Sequence, residues 1–259
     1  MSLVPCGTTG ESPTLTHEEH ERVIYLCIEA ANGKVPVIAG TGSNSTDEAI
    51  SLTKFSKEEG ADAALIVTPY YNKPTQEGLY RHFKAINDSC DLPIIIYNIP
   101  GRSVIDINIE TMKKLAKLKN IIGVKDSSND LTRPLLTAKS IGKNFCQISG
   151  EDATIVPFLS QGGHGCISVT ANIAPKICSD LHNAWQKGNF KKVQYLNTFL
   201  FPLHSALFLE TSPGPVKYAA SLLRICSSEL RLPLVHVASS TKKEIKSVLN
   251  KLRIKPIKK

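Results

Sequence analysis

Ile121-Ile122-Gly123-Val124-Lys125-Asp126-Ser127-Ser128 is an apolar run that ends in an amine and then turns polar. A run of this kind reads as a parallel strand buried on both faces. Its carboxyl end lies at the rim of a core, and Lys125 stands there. Desolvation disfavours the charged form of an amine, and a neutral amine condenses with a carbonyl carbon. The run therefore points to a parallel α/β fold and, at its end, to Schiff-base chemistry. The competing reading is a strand-end lysine whose long stem carries its charge out to water.

Working outward, similar apolar runs occur at 3–6, 36–40, 63–68, 93–98, 145–150 and 165–169. They recur at intervals of roughly 25 to 30 residues, shortening at the last, which is the rhythm of β/α units and a parallel sheet. Helix signals lie between them. Thr16 with Glu19, Thr46 before Asp47 and Glu48, and Asn108 before Glu110 are expected N-caps. After residue 169 the strand rhythm stops, and 172–187, 190–208, 215–225 and 240–252 read as helices. The expected division is a β/α domain over 1–188 and a C-terminal helical segment over 189–259. Seven strands are visible where a closed (β/α)8 barrel needs eight. An open doubly wound sheet is the alternative, although Gly40-Thr41-Gly42-Ser43-Asn44-Ser45 lacks the third glycine of a dinucleotide fingerprint.

Composition narrows the class. With 42% hydrophobic and 21% charged residues, the 259-residue chain has the makeup of an ordinary globular protein. No stretch reaches the roughly 20 apolar residues of a membrane span, so no membrane partner is expected. Seven scattered cysteines without a C-x-x-C pair read as free thiols in a reducing, cytoplasmic compartment, with no metal site. The net charge of +8 gathers in the tail 242–259, which alternates basic and apolar residues at helical spacing. That pattern is a solvated helix face, and no nucleic-acid motif accompanies it.

Polar loops follow the strands. Gly7-Thr8-Thr9-Gly10-Glu11-Ser12 offers paired hydroxyls and backbone N–H groups suited to a carboxylate, or else an ordinary capped turn. Tyr97 closes an apolar run and Arg102 follows in a Pro-Gly turn; one can move protons and the other can clamp a carboxylate. Tyr70-Tyr71 is an exposed aromatic pair, a pattern more often used for subunit packing.

Together Gly7-Thr8-Thr9-Gly10-Glu11-Ser12, Thr68-Pro69-Tyr70-Tyr71-Asn72, Tyr97-Asn98-Ile99-Pro100 with Arg102, and Gly123-Val124-Lys125-Asp126 resemble the pyruvate-dependent class I aldolase superfamily. Within it the chain is similar to the dihydrodipicolinate synthase family, and the similarity extends through Pro213, Pro215-Val216-Lys217 and Leu232-Pro233-Leu234. The resemblance implies a TIM (β/α)8-type barrel. Family members have one further β/α unit before the Gly-Thr-Thr-Gly turn, so a barrel lacking its first unit, with an appended C-terminal helical segment, is expected. It implies that Lys125 forms a covalent imine with pyruvate, with no cofactor, and that the resulting enamine attacks L-aspartate 4-semialdehyde. Thr8 and Thr9 would hold the pyruvate carboxylate, and Tyr97, Thr9 and Tyr71 would relay protons, Tyr71 entering from a neighbouring subunit of a homotetramer. Arg102 would bind the second carboxylate, while Gly150 and Ile167 line the pocket. Ser12, His17, His20, Asn44, Glu48 and Tyr70 match positions that bind L-lysine in feedback-regulated members. Another pyruvate-dependent lyase of the superfamily, and an inactive shortened barrel, are the alternatives.

Overall fold

The structure is a computed structural model and describes residues 1–256, so Lys258 and Lys259 of the basic tail lie outside the described residues. The alternation read from the sequence becomes α1 (His17–Ala31), β1 (Ile38–Gly40), α2 (Thr46–Glu58), β2 (Ala63–Val67), α3 (Gln76–Ser89) and β3 (Ile94–Asn98). It continues with α4 (Pro100–Ser103), α5 (Ile109–Leu115), β4 (Ile121–Asp126), α6 (Arg133–Ser140), β5 (Cys146–Ser149), α7 (Ile155–Ser160) and β6 (Gly165–Cys166). The helices α8 (Pro175–Gln186), α9 (Phe190–Ala206), α10 (Gly214–Leu222) and α11 (Ser239–Lys251) follow.

Among the described residues the six strands are parallel and lie in the order β1-β2-β3-β4-β5-β6. A doubly wound sheet reverses its order at a switch point, so the strictly sequential order removes that alternative. The sheet is a curled, half-barrel wall. The expected strand at 3–6 is not one: Leu3 forms a single parallel bridge to Val37. Its chain still runs beside β1, donating from Leu3 N to Pro36 O and accepting at Leu3 O from Ile38 N, both at 2.9 Å. Pro5 has no N–H to continue the ladder, and Cys6 turns the backbone away at φ 55°.

Side chains alternate across each strand, so every strand feeds two layers. Ala64, Ile66, Ile94, Ile96 and Val124 pack on the helix side against Leu79, Phe83 and Ile86 of α3 and Met112 and Leu115 of α5. Phe83, Leu79 and Ile86 are fully buried, and each contributes about 1.5–3 kcal/mol of apolar burial. Leu65, Ile95 and Tyr97 face the other way and pack with Val67, Ile99, Ile148 and Ile167. Lys125 belongs to this inner layer.

The caps show how local sequence sets the helix starts. Thr16 and Glu19 form the reciprocal capping box of α1, and Asn108 accepts from Thr111 N at 2.8 Å to start α5. At α2 the cap is Ser45 rather than Thr46. The Thr46 hydroxyl is instead engaged by His82 Nδ1 at 2.9 Å.

The chain divides into two compact units, one of Met1–Gly150 with Pro157–Ile167, the other of Glu151–Val156 with the chain from Ser168 onward. In the second, α8 packs on α9, and α11 packs on both α9 and α10. There the buried Asp152 accepts from Val169 N at 2.8 Å and Thr170 N at 3.1 Å. No helix among the described residues is long and apolar enough to cross a membrane.

Candidate active site

Lys125 and Tyr97 are adjacent in register on β4 and β3, with Ile148 of β5 on the other side of the lysine. Equal register on neighbouring strands sends both side chains to the same face. The lysine is 8% exposed and the tyrosine 6%, and the Nζ lies 3.9 Å from the centroid of the Tyr97 ring. Amine and phenol therefore share one buried space at the carboxyl end of the sheet.

Glycine at 150 leaves room for that lysine. A Cβ there would stand 1.8 Å from Ser127 Oγ and 3.0 Å from Lys125 Cε. Gly150 is fixed in turn by its N–H, which donates to Asp126 O at 2.8 Å, and Ile167 N donates to Ser149 O at 3.0 Å. Gly150 and Ile167 thus come to the same inner surface as Lys125 and Tyr97.

The strand ends that carry the pair are tied by a polar cluster. Asn98 is fully buried; its Nδ2 donates to Asp106 Oδ1 at 2.7 Å and Asp126 Oδ2 at 3.1 Å, and its Oδ1 accepts from Ile107 N at 3.2 Å. Arg133, whose side chain is 12% exposed, places Nε 3.0 Å from Asp126 Oδ2 and Nη1 3.1 Å from Asp106 Oδ2. Its Nη2 also donates to Ile107 O at 2.7 Å. One guanidinium and one amide thereby fasten the residues immediately after Tyr97 and Lys125. The sequence assigns no role to Asn98, Asp106 or Arg133: Asn98 ends β3, Asp106 lies in the loop between α4 and α5, and Arg133 opens α6.

Thr8 and Thr9 lie half-buried in a 3-10 turn, Thr8–Gly10, closed by Gly10 N donating to Gly7 O at 2.9 Å and Glu11 N to Thr8 O at 3.1 Å. Arg102 sits on the short helix α4, held to the end of β2 by Thr68 Oγ1 donating to Ser103 Oγ at 3.0 Å.

Thr8 and Arg102 both line a cavity of about 410 Å³, together with Ser12, His17, His20, Glu48, Tyr70, Val67 and Ile99. Lys125 and Tyr97 are not among its lining residues, nor are Thr9, Asn44 and Tyr71. His17 Nε2 and Glu48 Oε1 are 2.9 Å apart on the wall, and Ser43 Oγ donates to the other oxygen of Glu48. His20 Nε2 pairs with Gly40 O at 2.7 Å, and burial pushes its pKa below the usual histidine value. The Asn44 carbonyl accepts from Asn72 Nδ2 at 2.9 Å. Tyr71 is 88% exposed and has a left-handed backbone at φ 71°, so it takes no part in the buried layer of its own chain. Among the described residues, no group of three or more His, Cys, Asp or Glu side chains is placed to hold a metal ion.

Comparison with known proteins gives the family of the chain. The sequence profile of the Dihydrodipicolinate synthetase family matches residues 1–252. The 4-hydroxy-tetrahydrodipicolinate synthase of Rhodospirillum centenum is 64% identical over 249 residues, covering 96% of this chain and 86% of the relative. The crystal structure of dihydrodipicolinate synthase from Aquifex aeolicus superposes with a TM-score of 0.97 at 44% identity, covering 100% of this chain and 88% of that one. The chloride-inhibited enzyme of Acinetobacter baumannii, complexed with pyruvate, gives 0.95 at 44% identity over 98% of this chain and 87% of that one. A Cyanidioschyzon merolae structure with lysine bound gives 0.95 at 36% identity over 98% and 86%. A buried lysine beside a tyrosine at the end of a sequential parallel sheet, and a match over nearly its whole length, lead to one assignment: the chain belongs to the dihydrodipicolinate synthetase family.

Proposed function

We propose that this chain condenses pyruvate with L-aspartate 4-semialdehyde to give 4-hydroxy-tetrahydrodipicolinate, the lyase step of lysine (diaminopimelate) biosynthesis. The observation that carries the reading is the Lys125 amine, buried and 3.9 Å from the Tyr97 ring, in a chain 64% identical to a synthase of that activity. The sequential parallel sheet supports a TIM (β/α)8-type barrel with an appended helical segment.

Lys125 is the nucleophile. Its nitrogen adds to C2 of pyruvate, and loss of water leaves an imine, which draws electrons from the adjacent methyl carbon. Removal of a methyl proton gives an enamine whose carbon attacks the aldehyde; the semialdehyde's amino group then adds to the iminium carbon and expels the Lys125 amine, which closes the ring and frees the lysine. Tyr97 is the proton carrier, since its phenol accompanies the amine in the same buried space. Thr8 and Thr9 hold the pyruvate carboxylate through hydroxyls and turn N–H groups, and Arg102 holds that of the semialdehyde. Gly150 and Ile167 shape the space around the adduct. The imine itself is the electron sink, so the reading assigns no cofactor.

Tyr71, exposed on a strained turn, fits a role in the site of another subunit, where the partner subunit's Tyr71 completes the proton relay. A homotetramer in the cytoplasm follows from this reading, and the seven free cysteines suit a reducing compartment. Five of the six residues matched to a lysine site, Ser12, His17, His20, Glu48 and Tyr70, line one cavity, which supports L-lysine as a feedback inhibitor bound there. Calorimetric titration of the folded protein with L-lysine tests that point, and absence of heat removes it.

The activity is tested by supplying pyruvate with L-aspartate 4-semialdehyde and, separately, with sugar aldehydes. Turnover of the semialdehyde is the expected result; preference for a sugar aldehyde moves the chain to another pyruvate-dependent lyase.

A further inference from the structure

Ser127 carries a buried polar group that is not satisfied. The residue is 8% exposed, and its Oγ has no hydrogen-bond partner among the described residues. Its neighbour Ser128 shows the ordinary outcome, with hydroxyl and N–H both directed to Asp126 Oδ1. An unpaired buried hydroxyl is unfavourable, and each one in a folded protein calls for an explanation, a catalytic role among them.

Its position says what the function is. Ser127 N donates to Asn98 O at 2.8 Å, so the ladder continues past β4 and Ser127 faces the same side as Lys125. Its Oγ and the Lys125 Cε pack together against Gly150, where a methyl group would be 1.8 Å from one and 3.0 Å from the other. The Tyr97 ring flanks the nitrogen from β3. The proton traffic at the nitrogen thus has its own phenol, while the serine hydroxyl lies two residues further along the strand, toward the carboxyl rim from which a second substrate arrives.

We propose that Ser127 is a catalytic residue of the condensation, donating a hydrogen bond to the aldehyde oxygen as the carbon–carbon bond forms; this rests on the imine reading above. In that step the enamine carbon bonds to the aldehyde carbon, the carbonyl π pair moves onto oxygen, and the nitrogen lone pair restores the iminium. The oxygen becomes a hydroxyl by taking back the proton removed from the imine's methyl carbon, carried by Tyr97, so no outside acid is needed. The Ser127 hydroxyl stabilises charge on that oxygen before the proton arrives.

The test is Ser127→Ala, measured in two half-reactions and by thermal unfolding. Borohydride reduction with pyruvate alone is expected to trap as much adduct as in the unaltered protein. The kcat/KM for the semialdehyde is expected to fall about 10²-fold, as on removal of one oxyanion donor. The Tm is expected to rise by about 2–4 °C, because the substitution relieves an unpaired buried group. Unchanged kcat/KM overturns the proposal, and so does a loss of adduct formation, which would assign the hydroxyl to the lysine instead. If Ser127→Ala does not fold, Ser127→Cys, with a poor donor of similar size, decides by the same readings. Failure of the unaltered protein to form any adduct sinks the imine reading itself, a separate result.

Discussion

Gly150 and Lys125 compete for one space: a methyl group on the glycine would stand 3.0 Å from the lysine Cε and 1.8 Å from Ser127 Oγ. The glycine is there because the Ser127 side chain, and beyond it the lysine stem, pack against it. Gly150→Ala is therefore expected to displace both side chains, costing about 1–3 kcal/mol of stability from overpacking. It should also slow pyruvate adduct formation far more than a surface Gly→Ala does. Urea unfolding and single-turnover trapping measure the two effects, and an alanine variant with normal trapping would show that the lysine does not need the gap.

Arg133 and Asp126 form the least exposed ion pair of the strand-end cluster, with Nε and Oδ2 3.0 Å apart. Removing the arginine leaves Asp126 buried without its cation, at a cost of about 3–5 kcal/mol. Arg133→Met should lower the urea midpoint accordingly and reduce kcat, since Asp126 and Asn98 follow Lys125 and Tyr97 directly. A variant with full stability would show that Asn98 alone holds the strand ends.

His82 is 5% exposed, and burial pushes its pKa down to about 4. In the unfolded chain a histidine titrates near 6.5. Between those values the unfolded state takes a proton that the folded state refuses, so stability falls as pH drops from about 6.5 toward 4, by about 3 kcal/mol for this one residue. His20, His182 and His204 are shifted in the same direction by burial and add to the trend. His82→Gln should give a flatter stability–pH profile over that window in urea titrations, and a profile parallel to the unaltered protein would refute the assignment.

Arg102 stands on α4 and, of the two substrates of the proposed mechanism, meets the second. A charge-assisted contact of this kind is worth about 1.5–3 kcal/mol. Arg102→Ala should lower kcat/KM for the semialdehyde by roughly 10- to 100-fold while pyruvate trapping stays normal. Equal loss in both measurements would place the arginine on pyruvate.

What the sequence revealed was whatever depends on local pattern. Short apolar runs at β/α spacing located β1 to β6, and the Thr16–Glu19 box marked the start of α1 to the residue. Lys125 and Tyr97 were legible because each ends an apolar run, and a shared register then brought them together. The segment at 3–6 misled because its apolar composition says nothing of the missing N–H at Pro5 or the positive φ at Cys6. The Asn98–Asp106–Asp126–Arg133 cluster was not legible, since its members come from two strands, a loop and a helix and meet only in the folded chain. Ser127 was invisible for another reason: its signal is a hydrogen bond that is not made, and only packing reveals that.

The central claim is that the Lys125 amine captures pyruvate covalently. Borohydride reduction of the folded protein in the presence of pyruvate, followed by peptide mass mapping, tests it directly. The account predicts one stable adduct, on the peptide containing Lys125, that disappears in Lys125→Arg. No adduct, or an adduct carried by another lysine, would contradict it.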